Sequence, residues 1–258
     1  MTGKREDSRR ADSRRYLCRW FRQAAIFCFW IFVWQFIAWR IDRPVFLVGP
    51  WETVQALLQL AGEWPFWQAA MVSLGRIGAG FGLAFLLGLL VGSLSYRFPF
   101  LEELLSPPVL LMKTVPVASF VILALIWAGA GRLSLVVSFL VVFPMIYLNT
   151  LAGLRAADRQ LLEMAQVFRV PLLSRVRQIY RPALRPFLLS ACQVALGMSW
   201  KSGIAAEVIG TPDHSIGEQL YMAKIFFDTE NLFAWTAAVI LLSFLFEKAV
   251  LLLLRRLM

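Results

Sequence analysis

The chain has 258 residues, of which 59% are hydrophobic and only 16% charged, with a mean hydropathy of +0.67. A soluble domain carries about 25% charged residues, so the composition excludes an ordinary water-facing globule and points to lipid. The net charge of +10 flanks long apolar runs instead of gathering in one patch, which favours membrane topology over nucleic-acid binding.

Residues 1–22 hold Lys4, Arg5, Arg9, Arg10, Arg14, Arg15, Arg19 and Arg22 and read as a basic cytoplasmic tail. The uncharged run 23–39 follows. It exceeds the apolar core of a signal peptide and lacks a small-x-small cleavage site, so it reads as an anchoring helix. Further uncharged runs cover 77–96, 114–131 and 133–154. Residues 186–200 continue past Lys201 to Glu207, and 231–246 continue past Glu247 and Lys248 to Leu254. A bilayer core needs about 20 helical residues, because backbone groups in lipid must bond internally. The expectation is an all-α integral membrane domain over 23–258, with about six spans near 23–40, 68–96, 104–128, 133–152, 184–208 and 232–254.

Within the second span, Gly78–Gly82 and Gly88–Gly92 are both GxxxG pairs, a spacing that lets helix backbones approach closely. Pro116 and Pro144 should kink or interrupt the third and fourth spans. Trp30, Trp34, Trp39, Trp64 and Trp67 fit an aromatic belt. Arginine sets the orientation. The loop 153–185 carries seven (Arg155, Arg159, Arg169, Arg175, Arg177, Arg181, Arg185), and Arg255 and Arg256 follow the last span. The 40–67 and 209–231 loops are poor in basic residues, so both termini and the 153–183 loop are expected in the cytoplasm.

That long loop is patterned. Arg159, Glu163 and Gln166 share one polar helical face, and Leu161, Ala165 and Phe168 an apolar one. Pro171 should end this helix. A second short helix fits 172–181, with Leu172, Val176 and Ile179 on one side and Pro182 stopping it before the next span. Two readings stand: a pair of helices built to dock onto a protein partner, or a pair lying on anionic headgroups.

Glu163-Met164-Ala165 followed by Ile179-Tyr180-Arg181-Pro182 resembles the "EAA" loop of ABC importer permeases. The sequence departs from it at Phe168, taken as the place of the usual glycine, and at Arg181, in place of leucine. Leu47–Val54, Ser73–Phe81, Phe143–Thr150 and Ala205–Gly210 resemble further stretches of the same family in the same order, so that the likeness covers 45–258. The subfamily resembled serves nitrate, sulfonate, taurine, bicarbonate and related solutes. The resemblance implies the MetI-like fold of type I importers, placed as a multi-pass protein in a bacterial inner membrane and acting as a homodimer. It implies a separate ATPase that binds ATP and magnesium and pulls on the 153–183 coupling loop. It also implies an extracytoplasmic solute-binding protein that delivers a small-molecule solute. Arg159, Glu163, Ala165, Gln166, Phe168, Arg169 and Pro182 would form the coupling region.

The chain has no G-x-x-x-x-G-K-[ST] phosphate loop of its own, and no nucleophile with a plausible base, so no enzyme and no bound cofactor are expected. Cys18, Cys28 and Cys192 lack metal spacing, and Asp213-His214, with the sole histidine, reads as a polar turn. Lys201 and Glu207 are ionisable groups within the fifth span, where such groups are costly and often functional. Lys201 is open to lining a pathway, pairing between helices or reaching for the interface. Six residues turn a helix by about 240° net, so it does not pair with Glu207 along one face. Glu207 fits a structural or gating role near the outer side. Arg76 is either an interfacial anchor or a partner for Glu207. A secondary transporter or channel using Lys201, and a scaffold whose loop recruits a soluble partner, remain as alternatives to the permease.

Overall fold

The computed structural model describes the backbone of residues 3–41 and 45–257 and the side chains of 22–41 and 45–256. The side chains of the basic tail up to Arg19, Cys18 among them, lie outside the described residues. So do Asp42 and Arg43. Among the described residues every regular element is helical: α1 (Gly3–Ile41), α2 (Pro50–Ala61), α3 (Trp64–Arg97), α4 (Pro99–Thr114), α5 (Val117–Ala128), α6 (Ala130–Arg155), α7 (Arg159–Val167), α8 (Leu172–Arg175), a π turn (Val176–Tyr180), α9 (Arg181–Gly210), α10 (Ile216–Ile225) and α11 (Thr229–Leu257).

Four helical stretches are long and apolar enough to cross a bilayer: 22–41, 64–97, 130–155 and 229–256. The pair α4 and α5, bent by 109° where Pro116 precedes α5, makes a fifth. Proline bars the residue before it from the helix, and so the expected interruption of the third span falls at 115–116. Pro144 leaves α6 unbroken. At 30 residues α9 is as long as the others, about 45 Å. Ser190, Gln193, Ser199, Lys201 and Ser202 dilute its apolar run, and it is not among the four.

The core is built on α3, α6 and α9. Gly80 lies against Leu135 and Ser138, Gly88 against Ile146, and Gly92 against Thr150, so α3 and α6 run parallel. Gly153 meets Leu184 and Phe187, and Gly210 meets Leu133, so α9 runs antiparallel to α6. One apolar cluster joins Phe81, Val142, Tyr147, Leu188, Leu196 and Leu251, and a second joins Phe66, Ile77, Trp200, Ile216 and Trp235. These clusters set α11 parallel to α3 and antiparallel to α9. The span formed by α1 is mostly exposed along 22–41. Of its tryptophans, Trp30 and Trp39 face outward, whereas Trp34 donates from Nε1 to the Val48 carbonyl at 3.0 Å.

The glycine pairs divide unevenly. A Cβ on Gly88 or Gly92 would come within 2.9 or 2.8 Å of side chains on α6, too close without movement. One on Gly82 would meet nothing within 4 Å, and one on Gly78 would make ordinary contact with Phe246 at 3.6 Å. The missing member of the close stripe is Gly80, which belongs to neither pair and lies on the Leu135 carbonyl. Gly82 is not a packing position within the chain: it lies about 120° round α3 from Gly88.

Candidate functional site

Two places gather the residues singled out from the sequence. The first is the segment between α6 and α9. Asp158 caps α7, its carboxylate accepting the Gln160 N–H at 2.8 Å, as an N-cap requires. The helix ends in a Schellman turn. The Val170 N–H donates to the Ala165 carbonyl at 2.9 Å and the Arg169 N–H to the Gln166 carbonyl at 3.0 Å, with Arg169 left-handed at φ 50°. This corrects the alignment of the loop. The position whose backbone suits glycine is Arg169, one residue beyond Phe168, which has φ −79°. Arg175 then reaches back across the turn, donating from Nε to the Val170 carbonyl at 2.8 Å and from Nη2 to the Ala165 carbonyl at 3.2 Å.

The expected apolar face of α7 does not turn inward as a unit. Ala165 is buried, Leu161 is exposed, and Phe168 projects with 74% of its surface exposed. Beside it stand Val167, Leu172 and Leu173, all largely exposed. Arg159, Glu163 and Gln166 are exposed around them. Pro182 does not end the second short helix either. The chain passes from α8 through the π turn into α9 without a break, and the Arg181 N–H donates to the Val176 carbonyl five residues back. Proline lacks a donor and its ring crowds the carbonyl four residues before it. The wider turn ahead of Pro182 accommodates both. Tyr180 in this turn packs edge-on to Tyr96 at the end of α3, and burial, with the Tyr96 hydrogen bond, raises its pKa above the usual phenol value.

The second place is the other end of α9. Glu207 is fully buried. Its Oε2 accepts from Ser73 Oγ at 2.6 Å and from the Gly217 N–H at 3.4 Å, and Ser73 Oγ in turn accepts the Ile216 N–H at 3.0 Å. The carboxylate thus holds the start of α10 onto α3 and α9. Thr211, left-handed at φ 42°, ends α9, and Asp213-His214 forms the polar turn expected there. Ser215 caps α10, accepting the Glu218 N–H at 3.0 Å, while Glu218 Oε2 accepts the His214 N–H at 2.7 Å. Glu207 Oε1, also buried, has no hydrogen-bond partner among the described residues. Arg76 is half-buried on the same side, but the one ion pair among the described residues joins Arg155 to Glu102. Lys201 is exposed on α9 and makes no ion pair among the described residues.

A polytopic helical bundle with a strapped, exposed loop between two of its long helices is the architecture of a multi-pass membrane protein. Residues 84–258 match the family of binding-protein-dependent transport system inner membrane components, and the chain belongs to that family. It is the permease subunit of an ABC importer, a membrane-spanning and non-catalytic transport component whose family works with an ATPase and a binding protein. It is 27% identical over 230 residues to the taurine transport system permease protein TauC of Escherichia coli, covering 87% of this chain and 83% of that one. It is 29% identical over 213 residues to SsuC of Bacillus subtilis, whose name assigns it to aliphatic sulfonates transport, covering 79% and 74%. It is 24% identical over 201 residues to the nitrate import permease protein NrtB of Synechococcus elongatus, covering 67% and 72%.

Proposed function

We propose that two copies of the chain form a translocation pathway for a small anionic solute of the sulfonate or nitrate class, with six spans each and both termini in the cytoplasm. The binding protein delivers the solute from the outer side. The partner ATPase seats the α7–α8 loop in a groove, and closure of the ATPase dimer on ATP swings the helices toward the outside as rigid bodies. Lys201 lines the pathway, and the Glu207 node fixes its outer wall.

The observation that carries this reading is the apex formed by Val167, Phe168, Leu172 and Leu173, each more than 70% exposed on a loop whose backbone Arg175 straps in place. An apolar cluster facing water on a fixed frame fits a partner's groove. The alternating directions of α3, the α4–α5 pair, α6, α9 and α11 support the six-span path. The names of the relatives, and an unneutralised lysine on α9, support an anionic solute.

The test is uptake into liposomes holding the chain, its ATPase and its binding protein. ATP-dependent accumulation of taurine or nitrate is expected. Glu163→Lys should cut uptake at least tenfold while the membrane domain stays folded. Uptake indifferent to ATP would sink the proposal.

A further inference from the structure

Lys201 is not the only cation on the uncovered side of the bundle. Lys113, near the end of α4, is exposed and lies in the cytoplasmic half of the helical path, where α4 faces α6 and α9. Two open clefts adjoin there and share Lys113. The first is lined on its polar side by Asn149 and Ser190, and the second by Ser106, Tyr147 and Glu102.

The chemistry of this lining is one-sided. The only carboxylate is Glu102, and Arg155 holds it. Lys113 has no carboxylate within 4.0 Å among the described residues. Tyr147 is 2% exposed, and its hydroxyl has no hydrogen-bond partner among the described residues. The Asn149 amide nitrogen is engaged by the Met145 carbonyl. What remains is the Lys113 ammonium, the hydroxyls of Ser106, Ser190 and Tyr147 and the Asn149 amide oxygen: one positive charge, with no carboxylate besides the Arg155-paired Glu102. A buried polar group without a partner is costly, and so is an unpaired charge at membrane depth. An oxyanion answers both.

The cleft is also in line with Lys201. Eleven residues separate Ser190 from Lys201, a rotation of about 20° net and a rise of about 16 Å along α9. The cleft and Lys201 therefore lie on one face of one helix, at different depths.

Resting on the permease reading, we propose that the Lys113 clefts form an inner binding station for the oxyanion head of the solute, with Lys113 as its charged contact and Lys201 as the outer contact on the same face. A solute with a sulfonate, nitrate or similar planar or tetrahedral oxyanion fits. The two lysines set a stepwise path along one face of α9.

Two measurements test it. In the first, the unaltered chain in nanodiscs is acylated with acetic anhydride, with and without millimolar taurine or nitrate, and modification is read by peptide mass spectrometry. Lys113 should be protected about threefold or more relative to chloride, and Lys224, at the end of α10, should not. In the second, uptake by the assembled importer is compared across variants. Lys113→Met should lower uptake about tenfold, the order expected for loss of a charge-assisted contact. Lys113→Arg should retain most of it. Labelling of Lys113 that ignores oxyanions overturns the station, whether or not the Met variant assembles. So does wild-type uptake in Lys113→Met. Absence of ATP-driven uptake in the unaltered chain overturns the permease reading instead, and leaves the labelling result standing.

Discussion

Replacing Glu207 by alanine removes one acceptor from two donors at once. The Gly217 amide is left buried and unpaired, and α10 loses its tie to α9. Glu207→Ala is expected to lower stability by about 2–4 kcal/mol, read by thermal unfolding in detergent, and Glu207→Gln, which keeps a carbonyl acceptor, by clearly less. Equal losses would mean that the bonds to Ser73 and Gly217 contribute little. At Arg169 the opposite holds. A non-glycine residue in the left-handed region costs about 1 kcal/mol or more, so Arg169→Gly should leave the chain as stable or raise its melting temperature. A clear drop would show that the Arg169 side chain makes up for its backbone. Both residues were visible in the sequence, but their roles were not equally so. Glu207 announced itself as a charge inside an apolar run, whereas its partner amides on α10 are set by a chain reversal that no periodicity encodes. Backbone sign is invisible in a residue name, so the sequence alone does not mark Arg169 as the left-handed position.

At the level of elements, glycine spacing predicted that α3 packs closely without saying on which side. Two GxxxG pairs in one helix need not share a face, and the α6 contact follows the ridge Gly80, Ala84, Gly88 and Gly92. Gly88→Val should therefore cost about 1–3 kcal/mol by overpacking, while Gly82→Ala should be neutral or gain a few tenths through helix propensity. The pair is measured by unfolding of the two variants side by side, and similar losses would displace the α3–α6 contact from its central place. The spans expected at 133–152, 184–208 and 232–254 end within about three residues of α6, α9 and α11, because charge fences mark them, whereas α1, α3 and α4 begin four or more residues earlier than expected. Prolines are read less well. Pro116 breaks a helix as expected, but Pro144 and Pro182 sit inside continuous ones. Pro182 does so because a π turn precedes it, and the sequence carries no signal for that turn.

For the whole molecule, the arginine count predicts which side faces the cytoplasm, and a single-cysteine experiment checks it. With the free cysteines replaced, Phe168→Cys should react with a membrane-impermeant maleimide only in inside-out vesicles, and Asp213→Cys only in right-side-out ones. The reverse pattern would invert the topology. Hydropathy made the membrane and most of the spans legible. It under-reports α9, because Ser190, Gln193, Ser199, Lys201 and Ser202 dilute its apolar run. The unbroken course of that helix has a mechanical consequence. From Leu172 to Gly210 the chain is one unbroken helical path about 58 Å long if straight, with the α7–α8 loop at one end and the Glu207 tie at the other. No non-helical residue interrupts it, so on the proposed coupling it acts as a lever whose softest point is the π turn ahead of Pro182. A tilt of about 10° about its middle moves each end by about 5 Å, in opposite directions. On the proposed topology and coupling, a small pull in the cytoplasm becomes a displacement on the far side of the bilayer, with no relay of side chains between them.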